Sequence, residues 1–415
     1  MTAPAPFTAS TSAAASPLAF LRDVRVLQAI GQIVFVIAVL IIIGVLTNNV
    51  INGLARAGLV PGFSFLGLES SFQIDEGLIS SPHVASDTFL HAFGIGLVNT
   101  LRVVFVGLVG ASLLGLFIGI GRLSTNWLVR NMSRAYIEIF QNTPLLVQLI
   151  FIYSGIFLRL PDLADIVASA PADAKNFVNA FWISNKGFAL PALWPTAGIT
   201  AWTVAVVIGL VVAVTLYRRR RRKMIDMGQL TYPLEAAALT LIGVVVLATL
   251  IFGPYTISQP EVIRRSARIV RFDSNTGVIV SPEYVALALG LILYTAAFIA
   301  EVVRAGIQSV PNGQWEAARA VGLTGGQALR LVILPQALRV MFPPLTNLYS
   351  ALLKNSALGA YIGFSDLFGV GRTIQLQSGQ SIPVTVIVMA IYLILTLLIS
   401  FLMNQLNARF QFKTR

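Results

Sequence analysis

Residues able to do chemistry are sparse in this chain and fall into three groups. The first is a pair of histidines, His83 and His91, in a chain that has no cysteine. Without cysteine, disulfides, thiolate metal sites, thiol nucleophiles and iron–sulfur clusters are excluded together. Two histidines are too few for a histidine-built metal cluster, so neither a metal site nor a redox role is expected. The second group is polar residues inside otherwise apolar runs: Asn99, Thr100 and Arg102; Gln141, Asn142 and Thr143; Tyr294 and Glu301; Lys354, Asn355 and Ser356. Polar groups are costly in hydrocarbon and are carried where a helix faces protein or a water-filled path. Each also has a structural reading. Arg102 can snorkel or pair within a bundle, Gln141 and Asn142 can cap or join helices, and Glu301 can pair with Arg304. The depth of Lys354 in its run makes a purely structural role more costly there. The third group is SVPNGQWEAARAVGLTGGQALRLVILPQALR, residues 309–339.

The elements that position these residues follow from composition. Of 415 residues, 56 % are hydrophobic and 11 % charged, against roughly 25 % charged in an ordinary soluble domain. A soluble fold could not hide that much apolar surface. The apolar residues come in runs near the roughly 20 residues that cross about 30 Å of hydrocarbon. Eight runs qualify, 29–47, 96–120, 137–158, 199–217, 234–253, 284–304, 341–364 and 383–404. The fold class is therefore an all-α polytopic membrane protein. The seventh run is interrupted by Pro343, Pro344, Asn347 and Lys354.

Charge in the connecting loops orients the chain. With the N-terminus cytoplasmic, the inner segments carry Arg22 and Arg25, then Arg122, Arg130 and Arg134, then the run Arg218 to Lys223, then Arg304, Arg319, Arg330 and Arg339, and finally Arg409, Lys413 and Arg415. These are 18 of the 29 basic residues. Arg264, Arg265, Arg268 and Arg271 then fall outside, against the rule, but six adjacent basic residues at 218–223 outweigh them. The reading is N-in and C-in. The formal charge of +12 is accounted for by this orientation, so no nucleic-acid partner is invoked. Residues 1–28 read as a disordered cytoplasmic tail. Residues 29–95 read as an uncleaved first helix and a periplasmic segment, because the apolar stretch exceeds a signal-peptide core and no small-x-small site follows it. The outer segments 48–95, 159–198 and 254–283 are too short and too punctuated for catalytic domains and fit short surface helices or lids.

Residues 309–339 can be read one by one. Asn312 can cap a helix, Glu316 sits in its first turn, Ala317, Ala318 and Ala320 favour it, and Gly322 can end it in the left-handed conformation. Thr324 and Gln327 form a capping box for a second helix, which runs apolar until Pro335 disturbs it. The product is a helix-turn-helix under the membrane that exposes Trp315, Val321 and Leu323, suited either to a protein partner or to lipid headgroups.

The residues EAARAVG at 316–322 followed by VILP at 332–335 resemble the EAA motif of ABC-importer permease subunits. The strings at 306–323 and 330–347, KNSAL at 354–358, NTLRVVF at 99–105 and QNTPLLVQLIFIYSG at 141–155 resemble the polar amino-acid branch (histidine, glutamine and glutamate type). Asn355 stands where that branch commonly has an acidic residue. The resemblance covers about 185 residues. The two extra spans within 159–283, with the first span, resemble the general L-amino-acid permease subunits.

This resemblance implies a type I ABC-importer transmembrane domain over 96–406, interrupted by the 159–283 insertion, in a multi-pass protein of the bacterial inner membrane. It implies that 309–339 is the coupling segment, with Glu316, Ala317, Ala318, Gly322, Leu334 and Pro335 docking on an ATPase. The intramembrane polar residues named above then become candidates for the substrate path. The implied partners are two cytoplasmic ATPase subunits, a second permease chain (a related chain or a copy), a periplasmic amino-acid-binding protein and an L-amino acid. The chain has no G-x-x-x-x-G-K-[ST] loop, so ATP and Mg2+ belong to the partner, this chain binds no cofactor and it is not itself an enzyme. The alternatives are an ion-coupled secondary transporter, an importer permease for opines or polyamines, and a membrane-embedded enzyme.

Overall fold

A computed structural model describes residues 24–56, 62–74, 83–168, 176–228, 232–266, 269–273 and 276–410. Most of the tail expected over 1–28 lies outside the described residues, as do Arg22, Arg268, Lys413 and Arg415. The chain divides into two compact units, Met1–Phe63 and Ser64–Arg415. In the first, helix α1 (Val24–Arg56) carries an apolar stretch at Val26–Gly53 long enough to cross a bilayer.

The second unit opens with a short 3-10 turn at Ser64–Gly67 and two extended segments bridged at Glu69 with Thr88 and at Ile74 with His83. Helix α2 (Phe89–Arg122) follows, with the Thr88 side chain accepting from the His91 amide. Its 34 residues make a rod of about 51 Å. Gly107, Ala111, Gly115 and Gly119 are all buried on one stripe of α2. Small residues four apart let helix backbones approach closely in a membrane, where packing rather than water exclusion drives association. The partner is α8 (introduced below): a Cβ on Gly115 would lie 2.6 Å from Ile299 Cβ, and one on Gly119 would lie 2.7 Å from the Ala300 carbonyl oxygen.

After α2 the amphipathic helix α3 (Trp127–Asn142) is capped by Asn126. The run 137–158 does not form one span. Thr143 is extended, with φ −102° and ψ 127°, and Pro144 follows it. Proline disfavours helix at the residue before it and has no amide to donate. The span therefore starts afresh with α4 (Leu145–Ile150), passes through a π turn at Phe151–Ile156, and ends in α5 (Leu163–Ala168).

The insertion is a helical hairpin closed by small sheets. Strands β1 (Asn176–Val178), β2 (Trp182–Ser184), β3 (Gly187–Leu190) and β4 (Ala192–Pro195) precede helices α6 (Ile199–Met227) and α7 (Pro233–Phe252). Strands β5 (Tyr255–Ser258), β6 (Glu261–Arg264), β7 (Val270–Phe272) and β8 (Val278–Val280) follow them. The sheets are ordered β1-β6-β7, β2-β3-β8 and β4-β5, antiparallel throughout. Chain entering and leaving the hairpin thus zips together, over a small core of Leu163, Val167, Trp182, Ala189, Val262 and Val270. Short surface helices or lids are expected over 159–198 and 254–283; these segments hold the short helix α5 and, in addition, the small sheets, which include arginines that fit the loop-charge rule worst. Arg264 lies on β6 and donates to the Val167 carbonyl, and Arg271 lies on β7. The basic run 218–223 continues α6 as exposed turns.

Helix α8 (Pro282–Gln308) packs parallel to α2, since Gly107 meets Leu291 and Gly119 meets Val303. A parallel pair is the arrangement three intervening spans produce. The short helices α9 (Asn312–Ala320) and α10 (Gly325–Ala328) lead through a π turn at Leu329–Ile333 into α11 (Leu334–Asn355). Then come a 3-10 stretch at Ser356–Ile362, α12 (Leu367–Ser378) and α13 (Ser381–Phe410). The seventh span is longer than the expected 341–364, running over Gly325–Ile362. Pro335 falls in the first turn of α11, where a missing amide costs least, and Pro343 and Pro344 lie inside the same helix. Among the described residues, eight helices are long and apolar enough to cross a membrane.

Candidate functional site

The 309–339 segment forms the helix-turn-helix that its punctuation indicates. Its second helix carries a complete capping box. The Thr324 hydroxyl accepts from the Gln327 amide at 3.4 Å, and the Gln327 carboxamide accepts from the Thr324 amide at 2.9 Å. Gly322 ends α9 in the left-handed region at φ +81°. Asn312 does not cap α9. Pro311 occupies the N-cap position without a side-chain bond, and Asn312 is the first helical residue. Trp315 is not a free surface group either. It lies half-buried against the chain's own core and lines a cavity of about 640 Å³ with Phe117, Ile120 and Leu329. Ala318 is buried, whereas Glu316, Ala317 and Gly322 are exposed, and Val321 is 76 % exposed. Leu334 and Pro335 are half-buried at the start of α11. The exposed part of this segment is therefore a turn centred on Val321 and Gly322, with Ala318 buried and Trp315 half-buried beneath it.

The intramembrane polar residues divide by what they touch. Asn99 donates to the Ser365 carbonyl at 3.0 Å, and Thr100 Oγ1 accepts from the Leu367 amide at 2.9 Å, so both hold the α11–α12 connection against α2. Arg102 donates to Asn99 and stacks 5.3 Å over the Tyr284 ring. Gln141 donates to the Ala297 carbonyl, while Asn142 and Thr143 bond back to Glu138 and Ile139 on their own helix. Tyr294 packs on Phe298, and Glu301 pairs with Arg304 at 2.8 Å. Ser356 is buried and donates to the Leu353 carbonyl. Asn355 is half-buried at the end of α11.

Lys354 differs from all of these. It is exposed and lines a cavity of about 840 Å³ between the end of α11, α12 and α13, together with Tyr361, Arg372, Gln375, Thr385 and Tyr392. Among the described residues, neither Lys354 nor Arg372 is paired with a carboxylate. Gln375 is held by α13, donating to Thr385 Oγ1 at 2.8 Å. Two cations and hydroxyls on an otherwise apolar wall suit a small anionic group such as a carboxylate. Arg372 was not among the sequence candidates. It lies outside the apolar runs in which polar residues were sought, and only the fold of α12 against α13 brings it to the cavity.

At the far end of this region Asp366 caps α12, accepting from the Gly369 amide at 2.8 Å and from the Tyr392 hydroxyl at 3.2 Å. Burial pushes its carboxyl up to about 6, against these hydrogen bonds, which pull it down. The structure also brings together residues that a count of histidines alone set aside. His83, Asp87 and His91 form one cluster at the start of α2.

Eight helices able to span a membrane, with a largely apolar cavity bearing two cations among the last of them, define an all-α polytopic membrane protein. The family model described as "Binding-protein-dependent transport system inner membrane component" matches residues 111–415, and the chain belongs to this family. It is similar to the putative amino-acid ABC transporter permease protein YhdX of Escherichia coli, at 41 % identity over 91 % of this chain and 92 % of that one. It is also similar to the general L-amino acid transport system permease protein AapQ of Rhizobium johnstonii, at 37 % identity over 90 % of each chain. A third relative is the glutamate/glutamine/aspartate/asparagine transport system permease protein BztB of Rhodobacter capsulatus, at 34 % identity over 89 % of this chain and 90 % of that one. The chain is thus a multi-pass inner-membrane permease subunit of an ABC importer. Its family is a transport component rather than a catalyst, and it works with a binding protein and an ATPase.

Proposed function

We propose that this chain passes L-amino acids of broad range from a periplasmic binding protein to the cytoplasm, driven by ATP hydrolysis on two separate ATPase subunits that dock on the turn at Gly322. ATP and Mg2+ are held by those subunits, the second permease chain is a related one, and the orientation is N-in and C-in. The names of the three relatives support the amino-acid assignment. The observation that supports it in the fold is the cavity that Lys354 and Arg372 line, neither paired with a carboxylate among the described residues. Two cations match the carboxylate common to all amino acids and leave the side chain unspecified. They repel a polyamine, which argues against that alternative substrate. Among the described residues the lining contains no acid, and we assign the acceptor for the ammonium group to the facing permease chain.

The test is uptake of labelled amino acids into vesicles containing the whole transporter and its binding protein. Arg372→Gln removes one charge-assisted hydrogen bond, worth about 1.5–3 kcal/mol, so uptake efficiency should fall roughly 10- to 100-fold. Full uptake by this variant would refute the cavity's role. Uptake through this chain alone on an ion gradient, without ATP, would refute the importer reading in favour of a secondary transporter.

A further inference from the structure

Outside the transport machinery, the segment before α2 assembles a ligand set that no part of the transport reading uses. His83 and Asp87 are four residues apart, and His91 follows four residues later in the first turn of α2. His83 Nδ1 and His91 Nδ1 are 3.1 Å apart, His91 Nδ1 and Asp87 Oδ2 are 3.2 Å apart, and His83 Nδ1 and Asp87 Oδ2 are 3.6 Å apart. We propose that His83, Asp87 and His91 form a binding site for a divalent transition-metal ion of the zinc class at the end of α2 remote from the coupling turn.

The distances fit one ion shared by all three side chains. Zn2+ takes tetrahedral N and O ligands at about 2.0–2.1 Å, which places neighbouring donor atoms roughly 3.3–3.4 Å apart. The three separations found here bracket that edge length, so the donors already stand on one face of a coordination tetrahedron. Their orientation is supported from behind. The other ring nitrogen of His83, Nε2, is 2.7 Å from Ser70 Oγ, and the ring packs 5.3 Å from Phe72. A hydrogen bond at the far nitrogen fixes the tautomer that presents Nδ1 to a metal. Asp87 is fixed by accepting from the Val84 amide at 2.9 Å. His83 is fully buried at its side chain, while Asp87 and His91 are 32 % and 39 % exposed. The fourth coordination position therefore faces solvent and suits water, the pattern of three protein ligands plus an open position.

The ion would tie two things together. Ser70 to Asp87 is a loose pairing with the backbone bonds Ser70 to Asp87, Ser71 to Ala85 and Ile74 to His83. His91 belongs to α2, whose neighbours Phe89 and Phe93 share a core with Leu367, Val370 and Ile374 of α12. A bound ion would staple this loop to the helix that bears on the α12 wall of the cavity.

The test uses the full-length protein without a polyhistidine tag, stripped with chelator in detergent and titrated with Co2+ and then Zn2+. The expected result is one equivalent of Co2+ giving a visible tetrahedral absorption band that Zn2+ displaces, with a raised melting temperature. His91→Ala and Asp87→Ala alter half-exposed positions and should elute as folded protein. Loss of a direct ligand should weaken binding by at least the roughly 10–100-fold seen when a residue hydrogen-bonded behind a ligand is changed. Because His83→Ala empties a buried position, the two half-exposed ligands serve for the comparison. Absence of a Co2+ band in folded wild-type protein, or equal Zn2+ affinity in His91→Ala, overturns the site. Neither result bears on amino-acid uptake, so the two readings fail separately.

Discussion

Replacing Gly322 by aspartate separates folding from coupling. Gly322 stands at φ +81°, and a Cβ built on it meets nothing within 4 Å. The substitution therefore has no steric cost within the chain. What remains is backbone strain, about 1–2 kcal/mol for an L-residue in the left-handed region and at the lower end for Asp, which visits it more readily than most. That strain sits in an exposed turn, outside the packed core of α2, α8 and α11. Thermal unfolding of the purified variant in detergent should shift by only a few degrees. If the turn docks on the ATPase as proposed, the same carboxylate projects into that contact, where burying an unpaired charge costs several kcal/mol. At 1.4 kcal/mol per decade, a penalty of about 3–4 kcal/mol lowers ATPase association at least 100-fold. The assays are co-purification of the ATPase and ATP-dependent uptake in vesicles. The expected result is a membrane-inserted, folded chain with neither retained ATPase nor uptake. Normal uptake by Gly322→Asp would refute the assignment of this turn. A variant that fails to reach the membrane would refute the claim that the position is free of internal contacts.

Three further outcomes follow from the packing and electrostatics. Gly119→Ala should destabilise the protein by roughly 1–3 kcal/mol, read as a lower melting temperature, even though alanine is about 1 kcal/mol the better helix former, because its methyl would meet the Ala300 carbonyl of α8 at 2.7 Å. Asp366 holds its proton more tightly folded than unfolded, with the folded value raised from 3.8 to about 6. The resulting stabilisation is full below the unfolded value and is lost as pH rises through about 6. Between pH 5 and pH 8 the wild type should lose about 1–2 kcal/mol from this group. Asp366→Asn keeps an acceptor for the Gly369 amide and should flatten that slope, so an unchanged slope in the variant's melting curves would exclude Asp366 as its source. Asn99→Ala breaks the bond to the Ser365 carbonyl and leaves a half-buried acceptor, which should cost about 1 kcal/mol, measurable as a drop in melting temperature.

Much of the body of this protein was legible one residue type at a time. Crossing hydrocarbon demands long runs without charge, and such runs are local facts of sequence. The turn at Gly322 and the capping box at Thr324 and Gln327 were equally local, because a left-handed glycine and a reciprocal cap each involve a few neighbouring residues. Local reading failed where a distant residue or a single proline decided the outcome. Pro144 divides a run that hydropathy counts as continuous. Within 176–195 and within 255–280, β2 pairs with β3 and β6 with β7 locally, but the pairings of β1 with β6, β3 with β8 and β4 with β5 exist only because the α6–α7 hairpin returns the chain beside itself.

Candidate residues divide along the same line. Asn99 and Arg102, polar and deep, signalled a pathway, yet their bonding partners, Ser365 for Asn99 and the Tyr284 ring for Arg102, are set by helix packing that sequence spacing does not show. Arg372 joins Lys354 only when α12 folds against α13. His83, Asp87 and His91 are close in sequence, but a loop of unknown path can point three side chains anywhere. The bridge between Ile74 and His83 and the start of α2 at Phe89 are what aim them at one point. Sequence alone determined that this chain spans a membrane and presents a rigid turn, since both depend on local composition and backbone preference. Tertiary structure decided which polar groups are consumed in holding helices together and which are left facing a cavity, because pairing a buried polar group is a question of what the neighbouring helix brings to it.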